Sequence, residues 1–179
     1  MIVETSRLLL REITLGDLDF MAAMLGDPEV MRFWPRPMTR PEAEAEIRKI
    51  QTKYAKDGCS FWLAVEKTSG QPVGQAGILI QSLDGKEEAE LAYKTHRPYW
   101  RQGYALEASL ACLRFAFDVL GRQCVTSRIR PENTPSIKLA TKLGLKPGTR
   151  IMFAGFEHII FSIEKSAFSS LHLGKDAPT

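Results

Sequence analysis

Cysteine and histidine are scarce in this 179-residue chain, three of each, and neither is spaced for obvious chemistry. Cys59, Cys112 and Cys124 are odd in number, far apart and never in a CxxC pair, which excludes a dense disulfide framework and gives no zinc-site spacing. Each lies in an apolar run and reads as a small buried hydrophobe. His96, His158 and His172 are too scattered to ligate a metal together. Long hydrophobic runs are missing as well. The longest uncharged stretch, Thr68–Leu83, has 16 residues and holds three Gln, three Gly and a Pro. A spanning helix needs about 20 mainly apolar residues. The N-terminus sets Glu4, Arg7, Arg11 and Glu12 around a short Leu run, so no secretory h-region is visible. No membrane contact and a reducing, cytoplasmic setting are the resulting expectations. There is no GxxxxGK[ST], no GxGxxG after a strand and no GxSxG, which removes the P-loop, dinucleotide and nucleophile-elbow readings.

What is present suits one globular domain. Hydrophobic residues make up 44% and charged residues 25%, average proportions with enough apolar mass for a core. The net charge of +3 hides an asymmetry. Lys94–Arg150 holds eleven Lys/Arg against Glu107, Asp118 and Glu132, a balance of +8 that leaves −5 on the remainder. Such an excess is compatible with solvated helix faces, and it also suits a multiply charged anionic ligand, whether nucleic acid or a phosphorylated small molecule. Aromatics near the basic residues are sparse and no base-stacking motif is evident, so nucleic acid is not an expected partner.

The periodicities order the elements. Arg7–Ile13 reads as a strand. Thr14 opens a capping box with Asp17, and Leu18, Met21, Met24 and Leu25 share one helix face. Asp27-Pro28-Glu29 begins a turn that ends in Phe33-Trp34-Pro35. A second box, Thr39-Arg40-Pro41-Glu42, starts a helix that runs to about Lys56 and stops at Gly58. Phe61–Glu66 and Val73–Ile80 form a hairpin, and Glu88–Thr95 is a fourth strand. Leu106, Leu110, Leu113, Phe117 and Leu120 recur at helical spacing between Gly103 and Gly121. Val125–Ile129 is a fifth strand, Pro135–Leu143 a short helix, and Arg150–Phe153 with Phe156–Glu164 a closing hairpin. A domain over 1–165 with a loose tail over 166–179 is expected.

Tyr99-Trp100-Arg101-Gln102-Gly103-Tyr104-Ala105 stands between a strand and the strongest helix. Small residues at 103 and 105 let backbone amides approach a ligand, and a helix N-terminus adds unpaired N–H groups and a positive dipole end, a combination that binds phosphate. This stretch, Arg101-Gln102-Gly103-Tyr104-Ala105, resembles the acyl-CoA pyrophosphate loop of the GNAT N-acetyltransferases. Three further stretches resemble the ribosomal-protein N-terminal acetyltransferase group (RimJ/RimL type) in order. They are Thr5-Ser6-Arg7-Leu8-Leu9-Leu10-Arg11, Asp27-Pro28-Glu29-Val30, and Asn133-Thr134-Pro135-Ser136 followed by Lys142-Leu143-Gly144-Leu145.

The resemblance spans about residues 5–164 and implies an α/β fold. Its central, mostly antiparallel twisted sheet has about seven strands, the fourth and fifth splayed apart, flanked by about four helices. It implies acetyl-CoA as co-substrate, no metal, and direct transfer of the acetyl group to a primary amine, on a protein N-terminus or a small molecule. A non-catalytic acyl-CoA sensor of the same fold is the alternative. Monomer and homodimer both remain open. Arg101, Gln102, Gly103, Tyr104 and Ala105 are then expected at the pyrophosphate, Tyr93 and Thr95 along the pantetheine and thioester through main-chain groups, and Asn133 near the splay. Many relatives carry a general-acid Tyr where Ala140 stands here, so Ser136 becomes the hydroxyl expected to assist the thiolate. Glu90, with Glu88 as substitute, is the expected general base. Trp34 is expected to wall the acceptor site. His96 and His158 are weaker base candidates. Glu107 is expected to anchor its helix. The −5 balance outside the basic segment favours a cationic amine as acceptor.

Overall fold

The computed structural model describes residues 2–83 and 86–172. Eight strands form one sheet: β1 (Ile2–Glu4), β2 (Leu8–Glu12), β3 (Phe61–Glu66), β4 (Pro72–Leu83), β5 (Lys86–Thr95), β6 (Cys124–Ile129), β7 (Lys146–Phe153) and β8 (Phe156–Glu164). The spatial order is β1-β2-β3-β4-β5-β6-β8-β7. Every neighbouring pair is antiparallel except β5 and β6. Those two are parallel and share a single register pair, Glu90 with Thr126. Beyond it β5 runs on to Thr95 and β6 to Ile129 without pairing, so the sheet opens there.

Five helices cover the two faces: α1 (Leu18–Gly26), α2 (Arg40–Asp57), α3 (Tyr104–Arg114), α4 (Thr134–Lys142) and α5 (Lys165–His172). Strand β3 shows why both faces must be covered, since Phe61, Trp62, Leu63 and Ala64 are all buried. Phe61 and Leu63 join Met21, Met24 and Leu25 of α1 and Ile47 and Ile50 of α2. Trp62 and Ala64 face the other way, among Leu113 of α3, Phe117 and Phe168. The helix boundaries obey local chemistry. Both expected capping boxes are formed, Thr14 with Asp17 and Thr39 with Glu42, and Gly58 ends α2 with φ 70°. Cys59 and Cys112 are buried, whereas Cys124 is only partly so.

Four local expectations need correction. The strand expected from Arg7 is preceded by β1, which pairs with β2 as the sheet edge. The helix expected to continue to Leu120 leaves α-geometry at Arg114, and Phe115–Val119 form a wider π-type turn. That turn buries Phe115, Ala116 and Phe117, with the Phe115 ring edge-on to Trp62 at 4.8 Å between centroids. Strand β7 begins at Lys146 rather than Arg150, with a register shift between Pro147 and Arg150. Pro147 and Gly148 are tolerated because β7 is an edge strand. The tail is not loose from Ser166: α5 runs to His172 because Phe168 packs on Phe117, ring centroids 5.1 Å apart. Residues 173–179 of the expected tail lie outside the described residues.

Close strand approach in β3–β4 generates a stability prediction. A Cβ at Gly77 would lie 2.1 Å from the Ser60 carbonyl oxygen and 2.6 Å from the Phe61 Cα, both backbone. Gly77→Ala should cost about 1–3 kcal/mol through forced displacement of the strands, or about 2–12 °C in Tm for a chain of this size. Thermal unfolding followed by circular dichroism checks this, and an unchanged Tm would refute the close-packing argument.

Candidate active site

The parting of β5 and β6 opens into a cleft of about 470 Å³. Its walls come from the segment after α1, the end of β5, the loop leading into α3, and α4. Strand alternation sorts the β5 side chains. Leu91, Tyr93 and Thr95 point toward α3 and α4, and Glu90, Ala92 and Lys94 toward α1 and α2.

The loop before α3 is rigid and shaped for an anion. Arg101 and Gly103 both have positive φ, 61° and 84°. Gly103 is the N-cap of α3, so the N–H groups of Tyr104, Ala105 and Leu106 have no intrahelical acceptor. Trp100 Nε1 donates to the Thr95 carbonyl (2.7 Å), and Gln102 Nε2 to the Pro98 carbonyl (3.0 Å). Thr95, Arg101, Gly103, Tyr104 and Ala105 line the cleft. Gln102 does not; its side chain is spent inside the loop.

The loop is held from behind by Glu107. Its carboxylate accepts from Thr5 Oγ1 (2.6 Å), Ser6 Oγ (3.0 Å), Arg7 N (2.7 Å) and Arg7 Nε (2.7 Å). Burial opposes ionisation, yet those donors outweigh it and Glu107 sits below the ordinary carboxylate range. Arg7 extends the clamp, donating from Nη1 to the Gln102 carbonyl at 3.0 Å and lying over the Tyr104 ring. Glu107 therefore anchors the β2 approach and the loop together, a wider role than holding its own helix.

Asn133 caps α4, its Oδ1 accepting from Ser136 N at 3.2 Å, with Pro135 in the first turn. This arrangement leaves the Ser136 hydroxyl without a hydrogen bond among the described residues, on the cleft wall. Beside it, the Tyr93 phenol donates to the Ser136 carbonyl at 3.3 Å. Burial pushes the Tyr93 hydroxyl up to about 12, so it keeps its proton at neutral pH. Ala140, where relatives were expected to carry a Tyr, is 1% exposed and part of the core.

Two expectations on the acceptor side change. Glu90 does not line the cleft. It is 8% exposed and bound by Arg128 through two contacts, Nε to Oε1 at 3.0 Å and a shorter one from Nη2 to Oε2. A carboxylate held by a guanidinium fork and lying off the cleft is badly placed to accept a substrate proton. The geometry removes the expected reason for treating it as the base. Glu88 does not line the cleft either, nor do His96 and His158. His96 packs edge-on against Phe20, and His158 bonds the Phe156 carbonyl.

Trp34 lines the cleft. The residue it meets was not anticipated. Lys94 reaches into the cleft with Nζ 4.2 Å from the Trp34 ring centre and 5.2 Å from that of Phe61. Cation–π contacts of this kind contribute about 0.5–2 kcal/mol. Burial lowers Lys94 to about 8. The alternation of Glu90-Leu91-Ala92-Tyr93-Lys94-Thr95 already placed Lys94 on the same face as Glu90, but nothing in sequence marked it against ten other basic residues of that segment.

Comparison with known proteins bears on the family and the fold. Residues 7–146 match the family model described as the acetyltransferase (GNAT) domain. An uncharacterized N-acetyltransferase, p20, of Bacillus licheniformis is 30% identical over 145 residues, 79% of this chain and 80% of that one. A GNAT-family acetyltransferase structure from Bacillus anthracis superposes with a TM-score of 0.79 at 21% identity, covering 93% of this chain and 99% of that chain. RimL, a ribosomal L7/L12 α-N-protein acetyltransferase solved in complex with coenzyme A, gives 0.76 at 11% identity over 93% and 99%. The chain belongs to the GNAT acetyltransferase family and is an N-acetyltransferase by that membership. Its structural neighbours include ribosomal-protein acetyltransferases.

Two predictions follow from the site geometry. A valine at Gly103 would have to adopt φ near 84°, with its Cβ 3.3 Å from Arg7 Nη2. Gly103→Val should impose about 1–3 kcal/mol of backbone strain and weaken coenzyme A binding about tenfold or more, measured by calorimetry; undiminished affinity would refute the loop assignment. Glu90→Gln leaves the Arg128 guanidinium without its counter-charge. It should cost about 1–3 kcal/mol of stability, less than a fully buried pair because Arg128 keeps some solvent contact. Any rate deficit should be equal across pH; a deficit that disappears at high pH would instead restore Glu90 as the base.

Proposed function

We propose that this protein transfers the acetyl group of acetyl-CoA directly to a primary amine in a ternary complex. The observation that carries the reading is the opened β5–β6 seam, which joins an anion-binding helix N-terminus to a wall bearing two hydroxyls, Tyr93 and Ser136. The unpaired amides at 103–106, with Arg101 at the same loop, would hold the pyrophosphate. Unpaired main-chain groups at the end of β5, around Tyr93 and Thr95, would bind the pantetheine and polarise the thioester oxygen. Asn133 fits this scheme as the cap that turns Ser136 toward the cleft.

In the reaction the amine nitrogen attacks the thioester carbonyl carbon, the C–S bond breaks, and the thiolate leaves with a proton. Ser136 is the better placed donor to the departing sulfur, its hydroxyl having no hydrogen bond among the described residues and lying on the cleft wall. The Tyr93 phenol, which donates to the Ser136 carbonyl, holds that residue in place. With Glu90 engaged by Arg128, the attacking ammonium gives its proton to solvent at the open mouth. The rate should therefore rise with pH along the ionisation of the acceptor amine itself.

Thiol release from acetyl-CoA with a panel of amines tests the activity. Ser136→Ala should lower kcat by about 10²-fold, the low end for loss of a positioned proton donor, with coenzyme A affinity changed less than threefold. Tyr93→Phe, which removes only the bond to the Ser136 carbonyl, should lose less, about tenfold. Full turnover in the Tyr93→Phe, Ser136→Ala double variant would refute these roles. Coenzyme A binding without thiol release for any amine would favour a non-catalytic acyl-CoA-binding domain.

A further inference from the structure

We propose that the acceptor amine carries an anionic group, a carboxylate in the simplest case, and that Lys94 is the residue that holds it. This rests on the acetyltransferase reading above and specifies its substrate class. Lys94 is a cation in the acceptor half of the cleft with no carboxylate in ion-pair contact and no hydrogen bond among the described residues. Its Nζ lies against the Trp34 and Phe61 rings, which present π-faces and accept no hydrogen bond of ordinary strength.

The surrounding charges are matched without it. Glu46 of α2 pairs with Lys49 at 3.6 Å, and Glu90 pairs with Arg128. Glu29 and Arg32, which line the same half of the cleft, pair with each other at 3.8 Å. Among the described residues Lys94 is thus the charge on this side of the cleft that no ion pair takes up, partly buried and lining the space an acceptor would enter. Across the β4–β5 ladder it faces Gln75. Gln75 is 2% exposed, and its Oε1 is buried with no hydrogen-bond partner. Gln75 does not line the cleft, so of these two neighbours Lys94 is the one that a ligand there can meet.

A cationic tail is disfavoured by the same arrangement. Burial lowers Lys94 to about 8, with Glu46 and Glu90 resisting that change and Lys49 adding to it. A second cation in the cleft would meet that ammonium at short range, whereas a carboxylate would neutralise it. The expectation of a cationic acceptor, drawn from the overall charge balance, is replaced at this wall. The amine itself still enters as an ammonium; the anion is the second group on the same molecule. A free amino acid and a peptide N-terminus followed by an acidic side chain present the same chemistry.

The test compares matched pairs: each common amino acid and its primary amide, assayed for thiol release from acetyl-CoA at equal free-amine concentration. A third arm uses dipeptide amides with Asp or Asn second, which separates the peptide source from the free one. The best carboxylate-bearing acceptor should exceed its neutral partner by about 10–100-fold in kcat/KM, carried by KM, the range of a charged hydrogen bond. Lys94→Met should bring that ratio to near one, and Lys94→Arg should retain most of it. A wild-type preference for the neutral partners, or a ratio unchanged in Lys94→Met, would overturn the proposal. If no amine is acetylated, the transferase reading fails separately. Binding then decides this one: N-acetyl amino acids titrated against Trp34 fluorescence with saturating coenzyme A should bind tenfold tighter than their amides, and equal binding would overturn it.

Discussion

The molecule is organised by the one place where its sheet fails to close. Strands β5 and β6 meet at Glu90 and Thr126 and then separate, and the residues proposed to bind and react line the cleft that opens from that gap. Parallel neighbours that diverge leave main-chain N–H and C=O groups without partners, an arrangement that persists only if a ligand or water can satisfy them. The Glu90–Arg128 pair lies at the apex, bridging the two strands on the α1–α2 side where ladder hydrogen bonds stop. A buried ion pair adds little net stability against an apolar alternative, but it fixes geometry. Here it fixes the point from which the cleft opens.

The second constraint is the clamp behind the loop that leads into α3. Glu107, on the first turn of α3, gathers four donors from Thr5, Ser6 and Arg7. Arg7 passes the restraint on to the Gln102 carbonyl and the Tyr104 ring. A loop with two positive-φ residues in three positions would be costly to order upon binding; the clamp orders it in advance. Because the Glu107 carboxylate is stabilised in its ionised form, the clamp contributes above the ordinary carboxylate range. Its contribution is lost as pH falls through the lowered value.

Charge has a divided meaning in this chain. The +8 segment looked like the footprint of one anionic ligand, yet several of its cations are engaged by the protein itself. Arg122 meets Glu87, Arg128 meets Glu90, Arg130 meets Glu132 and Arg150 meets Glu157. Arg101 and Lys142 line the cleft and fit the phosphate reading, while Lys94 belongs to the acceptor side. A run of basic residues thus resolves into three populations, which differ in what the fold sets opposite each one.

Local chemistry in the sequence was enough for the capping boxes at Thr14 and Thr39, the stop at Gly58, the hairpins, and the Gly103 turn into α3. Each depends on residues within a few positions of one another. The motif at 101–105 and the Asn133–Ser136 cap were legible for the same reason, and so was the family resemblance. The π-type turn after Arg114, the ordering of α5 and the start of β7 were not, because each depends on burial against segments distant in the chain. The same limit governs the chemistry. Glu90 reads as a candidate base until Arg128, 38 positions away, takes up its carboxylate, and Lys94 is one lysine among many until Trp34 and Phe61 surround it without supplying a negative charge. Sequence determined which groups the chain has and how each local segment turns; only tertiary structure decided which of them are spent on each other and which are left for a ligand, because pairing and desolvation are set by neighbours in space.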